Sequence, residues 1–243
     1  TTHNCQLNIE NSINSVLKQS YKNTEIIIVD DNSIDKTLSI CEKYRYLPNL
    51  KIVKVNFNDN ERIYKGVNIN AGYHSRNVGI NYSNGEWISF LDGGDVINPS
   101  KLEIQLIAAK FFNCRHILTG YETFNGSKEF TKNIKEFEVN FDIKNIISTK
   151  DLMKTLKNQN DLMSYTPKII RNNFPLFIRQ SYKLRKFIYP KPMDPFPGCG
   201  PSVFIHKSIK TRYRKLRDRR WSSAKGRGAD RDFNFQILEK YKS

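Results

Sequence analysis

Ile26-Ile27-Ile28-Val29-Asp30-Asp31-Asn32-Ser33 and, further along, Trp87-Ile88-Ser89-Phe90-Leu91-Asp92-Gly93-Gly94-Asp95 decide the fold. Each is a short apolar run that stops abruptly on carboxylates. Strands of a parallel sheet are buried on both faces, so they read as continuous apolar runs rather than alternating ones. Ligands in such sheets gather outside the carboxyl ends of the strands. The two runs therefore predict one crevice lined with acid groups. Asp, Asn and Ser after a strand are also ordinary turn and cap residues, because their side chains bond nearby backbone amides. What carries the argument is finding both runs, in order, with the right elements between them.

Those elements alternate. Ile9, Ile13, Val16 and Leu17 form a helical stripe over 8–19. A strand over 25–29 follows, and Ser33 is placed to cap a helix running to Tyr44. The next strand is 51–55, followed by a polar loop over 56–72 and a helix over 74–82 that Asn84-Gly85 closes. The strand 86–91 leads through the acid loop to a helix with Pro99 in its first turn. Strand and helix in alternation predict a doubly wound α/β fold. Beyond Phe112 the pattern loosens: a strand at 117–121, an irregular Lys/Asn/Ile-rich stretch over 125–195, a short strand at 202–205 and a last helix entered at Ala229-Asp230-Arg231-Asp232-Phe233. Acid groups at two strand ends suit ribose hydroxyls, base N–H donors and a divalent cation. This is a nucleotide-site pattern.

The bulk numbers fit a folded domain. A chain of 243 residues, 38% hydrophobic, supports one substantial core in one or two lobes. Its four cysteines are scattered without zinc or disulfide spacing, so a cytoplasmic setting with reduced thiols is expected. No apolar run reaches the ~20 residues that span a bilayer. The chain opens on the loop-like Thr1-Thr2-His3-Asn4, and a strand and further residues are expected before it. The formal charge of +16 raises a nucleic-acid reading. Its densest part, within 207–227, suits an acidic substrate or an anionic membrane surface, and also an ordinary solvated face. Nucleic acid is disfavoured, because a groove for it would not be lined with carboxylates.

The order of these motifs resembles the family 2 glycosyltransferases. The matching stretches are Thr1–Asn4 with Ser12–Tyr21, Glu25–Thr37, Ser75–Asp95 with Pro99–Gln105, and later Gly198–Ser208 and Gly228–Phe233. The resemblance implies a GT-A fold: a doubly wound, mainly parallel central sheet, helices on both faces and a smaller irregular acceptor-side lobe. Residues 1–112 would form the nucleotide-sugar half and 113–243 the acceptor and catalytic-base half.

It also implies roles at matching positions. Thr1 and His3 would pack on the nucleobase, with His3 where an aromatic Tyr is usual. Asp31 would accept a hydrogen bond from the base, typically uracil, while Asp30 caps or orients the loop. Arg76 would lie beneath the donor, near the diphosphate or in a surface ion pair. Asp92 would hold ribose hydroxyls and, with Asp95, a Mn²⁺ or Mg²⁺ ion bridging the diphosphate. The usual metal-ligand aspartate is Gly94 here, and Asp95 would have to substitute. Asp230 matches the catalytic base, with Ala229 where Glu is usual. Asp232 is a candidate acceptor-positioning group or a helix first-turn acid. Trp221 is a candidate for stacking on a sugar, or a loop anchor. The expected activity is inverting transfer from a UDP-sugar to a glycan or glycoconjugate hydroxyl, with peripheral membrane contact through 207–227. The alternative is a catalytically impaired GT-A-like binding module.

Overall fold

The computed structural model describes residues 1–55, 63–64, 67–68, 72–120, 200–215 and 229–241. They divide into two units. The first holds residues 1–55, 75–120 and 200–210, and the second the remainder.

In the first unit, β1 (Ile26–Asp30) pairs in parallel with β2 (Leu50–Lys54), Ile26 opposite Leu50 and Asp30 opposite Lys54. Side chains alternate across a strand, and β1 uses both faces. Ile26 and Ile28 join Ile9 and Ile13 of α1 (Ile9–Leu17) and Cys41 of α2 (Thr37–Glu42) in one buried cluster. Val29, of opposite parity, meets Gly79 of α3 (Tyr73–Tyr82), where an added Cβ would lie 3.5 Å from Val29 Cγ2. Helices therefore cover both faces, as a continuous apolar strand demands.

The loop 56–72 was expected to be irregular. Its described residues instead form two short strands, β3 (Ile63–Tyr64) and β4 (Val67–Asn68), paired antiparallel. Pairs this short leave almost no periodicity to read in sequence. β5 (Trp87–Ser89) and β6 (His116–Leu118) flank β7 (Val203–His206), which runs antiparallel to both. Pairing is thus parallel around β1 and antiparallel around β7. Trp87 stacks on Phe204 with ring centroids 4.7 Å apart.

Thr1 and Thr2 join the two sheet segments. Thr2 N donates to Val29 O and Thr2 O accepts from Asp31 N, while Thr1 N donates to Leu91 O and Thr1 O accepts from Gly93 N. Both sides follow the slanted pattern of parallel pairing. The residues read in sequence as a loop therefore act as a short strand between the two acid-ended runs.

Two further details differ from expectation. Ser33 does not cap α2. The helix follows Lys36, which makes no side-chain cap; Asp35 Oδ1 accepts from Thr37 N at 2.9 Å, and Ser33 Oγ accepts from Asn4 N. The helix after the acid loop, α4 (Lys101–Phe111), starts after Ser100, so Pro99 precedes it; Pro99 O instead accepts from Ser20 N.

In the second unit, α5 (Ala229–Tyr241) buries Phe233, Ile237 and Leu238, and Tyr213 stacks on Phe233 at 4.1 Å. The expected irregular stretch over 125–195 lies outside the described residues.

A buried glutamine ties α1 to α4. Gln19 donates to Asn98 O at 2.8 Å and Ser15 O at 3.2 Å and accepts from Leu102 N at 3.2 Å. Replacing Gln19 with Leu removes the acceptor of the buried Leu102 N and a donor to Ser15 O and to Asn98 O, the last of which keeps Lys101 N. We expect a loss of about 1–3 kcal/mol in urea unfolding; a loss near zero would mean the contact is dispensable.

Candidate active site

The site assembles where β1 and β5 end. Asp30 is fully buried at the last position of β1, and its Oδ2 accepts from Ser33 N at 3.2 Å. It orients the loop, the role expected for it. Asp31 is buried beside it, and its backbone is fixed by the Thr2 ladder. His3 Nδ1 lies 2.6 Å from Asp31 O. A carbonyl only accepts, so Nδ1 carries the proton, and Nε2 is left to accept from Asn4 Nδ2 at 3.3 Å. The imidazole is thereby held on the same short segment that carries Thr1.

On the other side of that segment stands Asp92. One nitrogen of Arg76, Nη2, donates to Asp92 Oδ1 at 2.7 Å and to Oδ2 at 2.6 Å. Thr1 Oγ1 donates to Oδ1 at 2.9 Å. Arg76 is no surface ion pair: its side chain is 4% exposed, against 37% for Asp92. Burial pushes the Asp92 carboxyl towards its neutral form, but the Arg76 charge and the hydrogen bonds from Thr1 and Arg76 outweigh it. The group is held below the usual carboxylate range.

The acid loop is fastened to α1 by two serines that sequence reasoning passed over. Ser12 Oγ accepts from Gly94 N at 3.0 Å, and Ser15 Oγ from Ile97 N at 3.3 Å. Their spacing on the inner face of α1 was the available signal, since hydroxyls among core positions need partners. Gly93 is required by close approach: a Cβ there would lie 2.8 Å from both Cys5 Sγ and Thr2 Oγ1. Behind the site, burial and the nearby Asp30 push the Cys41 thiol up to about 11, so it is inert as a nucleophile at neutral pH.

The donor set does not fit a carboxylate-held divalent cation. Asp92 is engaged on both oxygens by a guanidinium, Gly94 offers no side-chain ligand, and Asp95 is exposed. Among the described residues no group of three His, Cys, Asp or Glu is placed to hold a metal.

Residues 1–174 match the family described as Glycosyl transferase family 2. The chain belongs to this family. Curated relatives include the poly(ribitol-phosphate) beta-N-acetylglucosaminyltransferase TarS of Staphylococcus aureus, 34% identical over 117 residues, 47% of this chain and 18% of TarS. The glucosyltransferase WfgD of Escherichia coli is 29% identical over 127 residues, 52% of this chain and 45% of WfgD. The putative glycosyltransferase EpsE of Bacillus subtilis is 34% identical over 104 residues, 43% of this chain and 34% of EpsE. In each case the matched stretch spans less than half of the relative. The crystal structure of S. aureus TarS superposes with a TM-score of 0.51 at 20% identity, covering 93% of this chain and 31% of that one. The fold is the GT-A α/β type of this glycosyltransferase family.

Of the positions marked in sequence, Thr1, His3, Asp31, Arg76, Asp92 and Asp95 lie in the first unit. The ladder, the His3 contact and the Arg76 pair link Thr1, His3, Asp31, Arg76 and Asp92, and Asp95 N donates to Asp92 O. Asp230 and Asp232 lie in the first turn of α5, in the second unit. Asp232 is buried. It accepts from Gln236 Nε2 at 3.0 Å, and Arg214 Nε stands 3.9 Å away. These bonds anchor the helix start. Asp230 is half-buried. Trp221 and the basic positions after 215 lie outside the described residues. Among the described residues, no helix is long and apolar enough to cross a membrane.

The Arg76–Asp92 pair sets a pH-dependent term. A carboxyl depressed in the folded state stabilises fully above its unfolded pKa of about 3.9 and loses that contribution as pH falls through the folded value. Arg76→Met should cost about 1–2 kcal/mol at neutral pH, discounted for the exposure of Asp92. In thermal unfolding against pH, the gap between parent and variant should narrow only below about pH 4. A gap that closes at neutral pH would contradict the pairing.

Proposed function

We propose that this chain is an inverting glycosyltransferase that takes a sugar from a UDP-sugar and passes it to a hydroxyl of a glycan or glycoconjugate. The observation that carries the reading is the placement of Asp31 and Asp92 on either side of the Thr1–His3 segment. In this reading Asp31 meets the base and Asp92 the ribose. Three of the roughly four acceptor directions of Asp92 are occupied, which leaves one for a ribose hydroxyl. The name of WfgD specifies a UDP-glucose donor, which supports UDP as the nucleotide.

In this reading Asp230 is the general base. A carboxylate within hydrogen-bond reach of the acceptor hydroxyl removes its proton as the oxygen attacks the anomeric carbon, and the nucleotide departs from the opposite side. Asp232, tied to Gln236 and Arg214, fixes the helix turn that presents Asp230. It is a positioning residue rather than a contact to the acceptor. The acceptor is expected to be anionic. The chain carries +16, and the names of TarS and WfgD describe a poly(ribitol-phosphate) and a diphosphoundecaprenol-linked acceptor. The basic stretch 207–227 would meet such phosphates, free or at a membrane surface. Ala229 and Gly94 favour the second reading, a donor-binding domain without turnover.

The two readings separate in a transfer assay across a panel of UDP-sugars with phosphate-bearing glycan acceptors. We expect UDP release from one donor, reduced by at least about a hundredfold in Asp230→Asn. Tight UDP binding with no release from any donor would replace the transferase reading with the binding-domain one.

A further inference from the structure

The acid loop sits where family resemblance implies a divalent cation, and its local chemistry is organised differently. Gly94, at the ligand position, has φ +107°, a conformation that residues with a side chain rarely adopt. Its N–H is committed to Ser12 Oγ, so the backbone is anchored in that conformation. Asp92 is the carboxylate the fold holds in place, and it takes two hydrogen bonds from Arg76 and one from Thr1. A cation bound at its remaining lone pair would face the guanidinium at close range, a like-charge contact strengthened by Arg76's burial. Asp95 is exposed and belongs to a tight turn in which its own N–H bonds Asp92 O at 3.0 Å. Sites for Mg²⁺ beside a diphosphate rest on one or two carboxylates plus the phosphates. Here the ordered carboxylate is already neutralised by a buried partner.

The same pairing removes the reason such a cation is needed. Unpaired carboxylates at the strand ends would repel a diphosphate unless a metal stood between them. The Arg76–Asp92 pair is net neutral and remains a hydrogen-bond acceptor, so it can hold a ribose without presenting a full negative charge to the phosphates. We propose that this chain binds its nucleotide diphosphate without a divalent cation, the buried Arg76 doing at Asp92 the charge compensation that a metal would supply. The proposal rests on the nucleotide-sugar reading above.

Calorimetric titration of UDP into the full natural chain, in Mn²⁺, in Mg²⁺ and in EDTA, tests it by binding alone. The expected dissociation constants agree within about threefold in all three. Affinity weaker by about tenfold or more in EDTA, with Asp95→Asn erasing the advantage of Mn²⁺, would overturn the proposal while leaving the nucleotide reading intact. If UDP binds under none of the three conditions, both fall together.

Discussion

The site depends on a backbone ladder two residues wide. Thr1 and Thr2 bond Leu91 and Gly93 on one side and Val29 and Asp31 on the other. Without that strip the two acid-ended runs would belong to separate sheet segments. With it, Asp31 and Asp92 are set in fixed register across one segment, and His3 is carried beside them. Strand pairing is an exacting positioning device, because a one-residue slip turns every side chain to the opposite face.

Everything packed around the strip enforces that register. Gly93 admits Cys5 and Thr2 at distances no side chain would allow. Ser12 and Ser15 draw the acid loop onto α1, and Gln19 fixes α1 to the start of α4. The polar groups under the site are thus tied mainly by backbone-to-side-chain hydrogen bonds, which hold a loop more tightly than apolar contact alone because they are directional. The Arg76–Asp92 pair adds charge balance. A half-exposed carboxylate at a strand end stays ionised through the neutral range, yet it presents little net charge to an incoming anion.

Much of this was legible in the sequence. Apolar runs ending in Asp30-Asp31 and Asp92 marked the sheet and the edge where its acid groups gather, and the helical stripe of Ile9, Ile13 and Val16 located α1. Three features escaped. The strand character of Thr1–Thr2 has no hydrophobic pattern, because it is only two residues long and its pairing partners lie far away in sequence. Ser33 was the expected cap of α2, but its hydroxyl is taken by Asn4 N, a residue far away in sequence. The burial of Arg76 depends on where α3 crosses the sheet, so a lone arginine in a polar helix gave no sign of it. The roles of Asp230 and Asp232 were expected from resemblance. The structure adds that Asp232 is bonded by Gln236 and stands near Arg214, contacts that spacing alone does not reveal.

The central claim is that the two acid-ended strands form one nucleotide site. Its most direct test is a crystal structure of the chain with UDP. The account predicts uracil beside Asp31 and His3, and a ribose hydroxyl bonded to Asp92 with the Arg76 contacts intact. A nucleotide bound elsewhere, or held by the basic stretch through its phosphates alone, would contradict it.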